Sequence, residues 1–425
     1  MKQASRRDNM CHLIIHFSET IDFEKLDAAI QHSEILNWLN NVKFSRQFLF
    51  GIPQWITDFE KSNPKLGNKY EIDSTTPEGF ISPQLIESER NGKYPPRISF
   101  DFVLDKGKNP SLVFTWPHVL MDARGAEFLI RHLDGKVIND NSLTNCEIFH
   151  NIKPTQNKIK SLFDFPRKLR FSRKSVNCIS QASQLPLTSL IPESNTVLND
   201  KKHYQVFKFT EEETAQIDKH FEAKGAFFQK SLIYLAATIR SVKSIIAKRN
   251  VPEKNYFIPV ALDIRKRGSN VPIVSNQVTF LFYRITPEQT GSIEEIISSL
   301  SQQMMEQMRG EIPRSYTDMM DIFRRLPVSL YSRLISNPTK GQMASFYFSY
   351  LGEVFSDKET FFNQQIKEVI HLPSVSFPPG VSIIFYRFRN CLYAVISWVE
   401  GCLDESELAL FQDILRRELL AGGSK

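Results

Sequence analysis

No apolar run in the 425-residue chain reaches the roughly eighteen residues a membrane-spanning helix needs. Cysteine is sparse. Cys11, Cys146, Cys178, Cys391 and Cys402 stand far apart, in neither zinc-ligand nor disulfide-framework spacing. Histidines and carboxylates do not cluster as metal ligands, so no metal is expected. No Gly-x-Ser-x-Gly elbow marks a serine nucleophile, and no cysteine lies near the central histidine motif, so a covalent mechanism fits poorly. The basic first ten residues run into a short apolar stretch broken by His12 and His16, which does not read as a secretory signal. The expected setting is cytoplasmic, with contact at a membrane surface left open. No internal repeat is evident.

What is present is an ordinary globular composition, 41% hydrophobic and 24% charged, in a chain long enough for two domains with full cores. The most informative stretch is Pro117-His118-Val119-Leu120-Met121-Asp122-Ala123-Arg124-Gly125, which holds the one His-x-x-x-Asp among nine histidines. The apolar run Ser111–Trp116 leads into it and an amphipathic run from Ala126 to Leu133 leaves it. This order predicts a strand, a tight connection and a helix, with the imidazole at the strand exit and the carboxylate at the helix start. An imidazole titrates near neutrality and can take a proton from a hydroxyl or amine. The motif arises by chance in about a third of chains this long, given ordinary residue frequencies. Taken alone, Asp122 equally suits a simple helix cap, with His118 an ordinary strand-end residue.

Four segments in series resemble the chloramphenicol-acetyltransferase-like superfamily, which includes condensation domains, wax ester synthases and alcohol acyltransferases. His118 and Asp122 match its His-His-x-x-x-Asp-Gly signature. Ile21–Ile30 resembles the opening helix of a condensation-like domain. Phe257–Arg265, followed by Ser275-Asn276-Gln277-Val278, resembles the family's valine-proline-valine-aspartate-leucine-arginine strand. Phe346–Gly352 resembles the serine-asparagine-leucine-glycine strand of the wax ester synthases. The resemblance implies an α/β (α+β) fold of two lobes, each a mostly antiparallel sheet with helices, facing across a central cleft. It implies acyl transfer from a thioester to a hydroxyl or amine, with His118 as general base. Asp122 would be structural and paired with Arg265, which otherwise reads as part of the surface cluster Arg265-Lys266-Arg267. Ser349, Ser345 and Asn276 are candidate oxyanion or substrate contacts. No permanently bound cofactor is implied; acyl-coenzyme A or a phosphopantetheine thioester on an acyl carrier protein would be the co-substrate.

The chain also departs from the pattern. Pro117 replaces the first histidine, Tyr350 stands where asparagine is common, and no Asp-Phe-Gly-Trp-Gly occurs. Ala123 replaces the glycine after the aspartate, with Gly125 expected to supply backbone freedom two residues later. These changes keep two alternatives open: an inactive condensation-like binding protein, and a condensation enzyme that accepts only carrier-bound substrates.

Net charge is +6, and the stretch from Asn151 to Lys174 carries eight basic residues against Asp164, interleaved with phenylalanine and leucine. It suits an anionic membrane surface, an acidic carrier protein, a phosphate-bearing donor, or a solvated linker. Nucleic acid is not expected, because no binding motif accompanies the charge. Thirty-three phenylalanines are enough to line an acyl tunnel, though core packing uses the same residues.

The expected organisation is an N-terminal lobe over 1–138, a connecting segment over 139–202 and a C-terminal lobe over 203–425. Strands are expected at His12–Phe17, Arg97–Leu104, Ser111–Trp116, Tyr204–Phe209, Tyr256–Leu262, Val278–Ile285, Ser345–Leu351, Val381–Tyr386 and Leu392–Trp398. Helices are expected at Phe23–Leu39, Phe228–Ile246, Ser292–Met308 and Asp404–Leu420, and after Thr210, where a capping box opens an acidic first turn.

Overall fold

The computed structural model describes residues 10–45, 54–57, 69–72, 77–81, 98–105, 110–138, 165–192, 201–223, 230–265, 274–327, 329–330, 333 and 341–420. In chain order the strands are β1 (Met10–Phe17), β2 (Val42–Ser45), β3 (Gln54–Thr57), β4 (Lys69–Ile72), β5 (Ser99–Asp105), β6 (Ser111–Pro117) and β7 (Lys202–Lys208). They continue as β8 (Tyr256–Asp263), β9 (Val278–Ile285), β10 (Tyr347–Glu353), β11 (Thr360–Phe361), β12 (Gln364–Leu372), β13 (Val381–Phe388) and β14 (Cys391–Val399). The helices are α1 (Phe23–Gln31), α2 (Glu34–Asn41), α3 (Ala123–Ile138), α4 (Phe165–Ala182) and α5 (Glu211–Ala223). The remaining helices are α6 (Lys230–Lys248), α7 (Ile293–Arg309), α8 (Ile312–Phe323) and α9 (Glu405–Leu420).

Two six-stranded sheets carry the two lobes, in the orders β11-β12-β1-β6-β5-β4 and β7-β14-β13-β10-β8-β9. Neighbours pair antiparallel except β4 with β5 and β10 with both β8 and β13. The expected two-lobed α/β architecture is therefore present. Burial explains the central strands: the side chains of β6 from Ser111 to Trp116 are all buried, as both faces of the sheet are covered.

The lobes are not separate along the chain. β12 comes from the C-terminal third and pairs with most of β1, from His12 with Leu372 to Phe17 with Ile366. The first core cluster also contains Ile384, Tyr386, Tyr393 and Val395, so the second sheet closes the first lobe's core. The division at 138 and 202 remains a proposal about chain segments; sheet membership crosses it.

Two local expectations need correction. The helix expected over Phe23–Leu39 is two helices, because the Ser33 hydroxyl accepts a hydrogen bond from the Leu36 N–H and starts a new one. The segment expected to connect the lobes contains α4, which packs on α8. Its buried positions are Ser172, Ser175 and Ala182, and Ser175 Oγ meets Ser315 Oγ at 2.5 Å. A small, polar contact face gives no hydrophobic period, which is why the pattern missed it. The basic residues from Lys153 to Lys160 lie outside the described residues, as do Cys146 and the turn after Asp105.

Two histidines give the fold a pH signature. His12 and His371 are buried, the first with Nδ1 2.8 Å from Thr115 Oγ1. Burial pushes each imidazole down to about 3. The unfolded chain then binds the extra protons between roughly pH 6.5 and 3, so their contribution is present above about 6.5 and lost as pH falls. Below pH ~6 the unfolding free energy should fall by about 1.4 kcal/mol per pH unit for each histidine. Denaturant unfolding of wild type and His371→Gln at several pH values checks this; the variant should show the shallower slope.

Candidate active site

β6 ends at Pro117, and the Leu120 N–H donates to the Pro117 carbonyl at 2.9 Å to close the turn. Trp116 Nε1 donates to the Met121 carbonyl at 3.0 Å, fixing the far side of that turn. His118 sits on it, half-buried, at the strand exit. Asp122 then opens α3: its Oδ1 accepts from the Gly125 N–H at 2.8 Å and its carbonyl from Ala126 at 3.0 Å.

The same carboxylate is held from the second lobe. Arg265 donates to both oxygens, from Nη2 to Oδ1 at 2.8 Å and from Nη1 to Oδ2 at 3.0 Å. The Gln277 N–H adds a third cross-lobe bond, to Oδ2 at 2.8 Å. Capping and pairing are therefore not alternatives, because one buried carboxylate does both. The fork geometry of arginine is what makes two parallel bonds possible.

Asn276 reaches the histidine turn itself. Its Nδ2 donates to the His118 carbonyl at 2.7 Å and the Val119 carbonyl at 3.1 Å. This occupies the amide that could have served as an oxyanion donor, and makes Asn276 a backbone clamp. Ser345 is buried, and its Oγ accepts from the Phe257 N–H at 3.1 Å, tying the approach to β10 onto β8. Ser349 lies on β10 opposite Ile384, half-buried, and makes no hydrogen bond through its hydroxyl among the described residues. Gly125 has a different purpose from the one expected. A Cβ there would lie 3.0 Å from Met121 Cβ and 3.2 Å from Ser275 N and O, so it permits close approach of the Ser275 loop to α3.

Sequence reasoning missed a polar face of α3. Arg124, Glu127, Arg131 and Asp134 recur at helical spacing and fasten the chain leaving β10. Arg124 donates to the Leu351 carbonyl at 2.9 Å, the Glu353 carbonyl at 3.1 Å and Glu127 Oε2 at 2.8 Å. Arg131 pairs with Asp357, and Asp134 accepts from the Phe362 N–H at 2.7 Å and Lys358 at 3.0 Å. The signal was the spacing, hidden because charged residues on a helix usually face solvent. Glu127 is 1% exposed, and burial pushes its carboxyl up to about 7 despite Arg124 and Arg131 nearby.

Comparison with solved structures identifies the architecture. A trichothecene 15-O-acetyltransferase from Fusarium sporotrichioides superposes with a TM-score of 0.69 at 13% identity, covering 99% of this chain and 92% of that one. The first condensation domain of the calcium-dependent antibiotic synthetase, in complex with a substrate analogue, gives 0.67 at 10% identity, covering 100% and 94%. The starter condensation domain of rhizomide synthetase, a mutant in complex with C8-CoA and Leu-SNAC, gives 0.64 at 10%, covering 99% and 90%. The chain has the condensation-domain, chloramphenicol-acetyltransferase-like fold over its full length. No family model and no curated protein matches it in sequence. Among the described residues, no helix is long and apolar enough to cross a membrane.

Proposed function

We propose that this protein is an acyltransferase that moves an acyl group from a thioester, on coenzyme A or a carrier protein, to a hydroxyl or amine. The observation that carries the reading is the double hold on the His118 turn, through Asp122 with Arg265 and through Asn276. A general base must keep a fixed position to be useful, and preorganisation of this kind costs nothing at the moment of reaction. The fold shared with an acetyltransferase and with condensation domains, one of them bound to C8-CoA, points the same way.

In this scheme the His118 imidazole removes the proton of the acceptor O–H or N–H as its heteroatom attacks the thioester carbonyl. The C–O or C–N bond forms, and negative charge moves to the carbonyl oxygen, to which Ser349 Oγ donates a hydrogen bond. Collapse breaks the C–S bond, and the imidazolium returns its proton to the leaving thiolate. Asp122 and Arg265 hold the turn and touch no substrate. The thioester arrives as co-substrate, and no resident cofactor takes part.

Incubation with a panel of acyl-coenzyme A and acyl-carrier donors and mixed alcohols and amines, read by mass spectrometry, tests the proposal. An ester or amide product is expected; absence of any acylated acceptor across the panel would favour a binding role for the fold.

We propose further that helix α4 docks an acidic carrier protein bearing the donor. It contains no acidic residue, and Arg170 and Arg173 are exposed. Lys168 is already committed to Asp321 at 2.7 Å, so it is unsuited to a docking test. Arg170→Glu with Arg173→Glu should raise KM for a carrier-bound donor about tenfold and leave free acyl-coenzyme A unaffected, as loss of steering charges does. Equal KM values for the carrier-bound donor would remove the docking role.

A further inference from the structure

Two segments on which the proposed chemistry depends belong to different lobes: the His118 turn and the Ser349 strand. Arg124, six residues after His118, joins them. Its guanidinium leaves the first turn of α3 and ends on the carbonyls of Leu351 and Glu353, just beyond Ser349 on β10. In that stretch the pairing of β10 with β13 slips between Tyr350 and Glu353, and Gly352 takes a φ of +77°. A side chain there would be strained in the left-handed region. Glu127 completes the arrangement, holding Arg124 Nη1 at 2.8 Å from the buried side of the helix. Three acceptors in a fixed fan require the planar fork of arginine; a lysine ammonium on a flexible stem cannot reproduce it.

The structure assigns Arg124 as a positioning residue that sets the separation between the His118 turn and the Ser349 strand. The assignment rests on the acyl-transfer reading. Arg124 itself touches neither reacting atom. Its loss lets α3 and the β10 bulge drift apart, so the base and the oxyanion donor no longer address one carbonyl together. A misplacement of about an ångström costs up to a hundredfold in rate, and it acts on the transition state rather than on donor binding.

The test compares steady-state kinetics of wild type, Arg124→Lys, Arg124→Ala, Ser349→Ala and the double variant Arg124→Lys/Ser349→Ala, with thermal unfolding of each. Arg124→Lys is expected to lose about tenfold in kcat and Arg124→Ala up to about a hundredfold, with KM within about twofold of wild type. The double variant is expected to be little worse than Ser349→Ala, because residues acting through one geometry are non-additive. Arg124→Lys keeps the charge and the helix, so it carries the test where Arg124→Ala does not fold. Unchanged kcat in a folded Arg124→Lys, or effects of Arg124 and Ser349 that simply multiply, would overturn the assignment while leaving acyl transfer intact. Absence of turnover in wild type with every thioester would instead remove the acyl-transfer reading, and the assignment with it.

Discussion

Replacement of His118 by alanine should lower the rate of acyl transfer by about a hundred- to ten-thousandfold, the usual worth of a positioned general base. Stability should barely change. His118 is half-buried on a turn whose hydrogen bonds are made by its backbone: the Pro117 and His118 carbonyls accept from Leu120 and Asn276. Those bonds survive truncation of the side chain, so the variant isolates chemistry from folding. The loss should fall on kcat, because the imidazole acts on the acceptor proton in the transition state. Steady-state rates with a working donor, alongside denaturant unfolding of both proteins, check the two halves of this expectation. A His118→Ala protein that loses more than about 1 kcal/mol of stability would show that the side chain is structural, against the account.

The second large effect concerns Asp122 and Arg265. Asp122→Ala leaves the largely buried Arg265 guanidinium with only the Ser275 carbonyl and the more exposed Asp263 carboxylate, and also uncaps α3. Breaking a buried pair from one side costs about 3–5 kcal/mol, and loss of a cap adds about 1 kcal/mol. Arg265→Ala is the milder change, because the Gln277 and Gly125 N–H groups still meet the carboxylate. Removing both partners should cost less than the sum of the single losses, since no uncompensated charge remains. Urea titrations of the two single variants and the double one measure this coupling directly; strictly additive losses would mean that the pair is not a unit. Activity should fall in all three, because the His118 turn is anchored through the same residues.

How much of this was readable from the sequence varies with the range of the interaction. The strand, turn and helix around His118 follow from a local pattern, and β9 spans Val278–Ile285, where apolar alternation put it. The capping box at Thr210 is equally local: Glu213 N–H donates to Thr210 Oγ1, and Thr210 N–H to Glu213. The pairing of Asp122 with Arg265 spans 143 residues, and no local rule reaches that far; it came from resemblance to a family. β12, written Gln-Gln-Ile-Lys-Glu-Val-Ile-His-Leu, lacks the alternation that would mark a strand, and one of its two partner strands, β1, lies in the other lobe's chain segment. The Arg124–Glu127–Arg131–Asp134 face was invisible for another reason. Its carboxylates are buried and its arginines half-buried against a segment whose position depends on the whole topology, so the residues look like an ordinary solvated face until β10 is in place.

The central claim, acyl transfer assisted by His118, is tested most directly by acceptor-dependent thiol release from an acyl thioester in wild type and His118→Ala. The account predicts thiol released in step with acylated acceptor in wild type, and a rate about a hundredfold or more lower in the variant. Equal rates in the two proteins would contradict it, and would take His118 out of the mechanism.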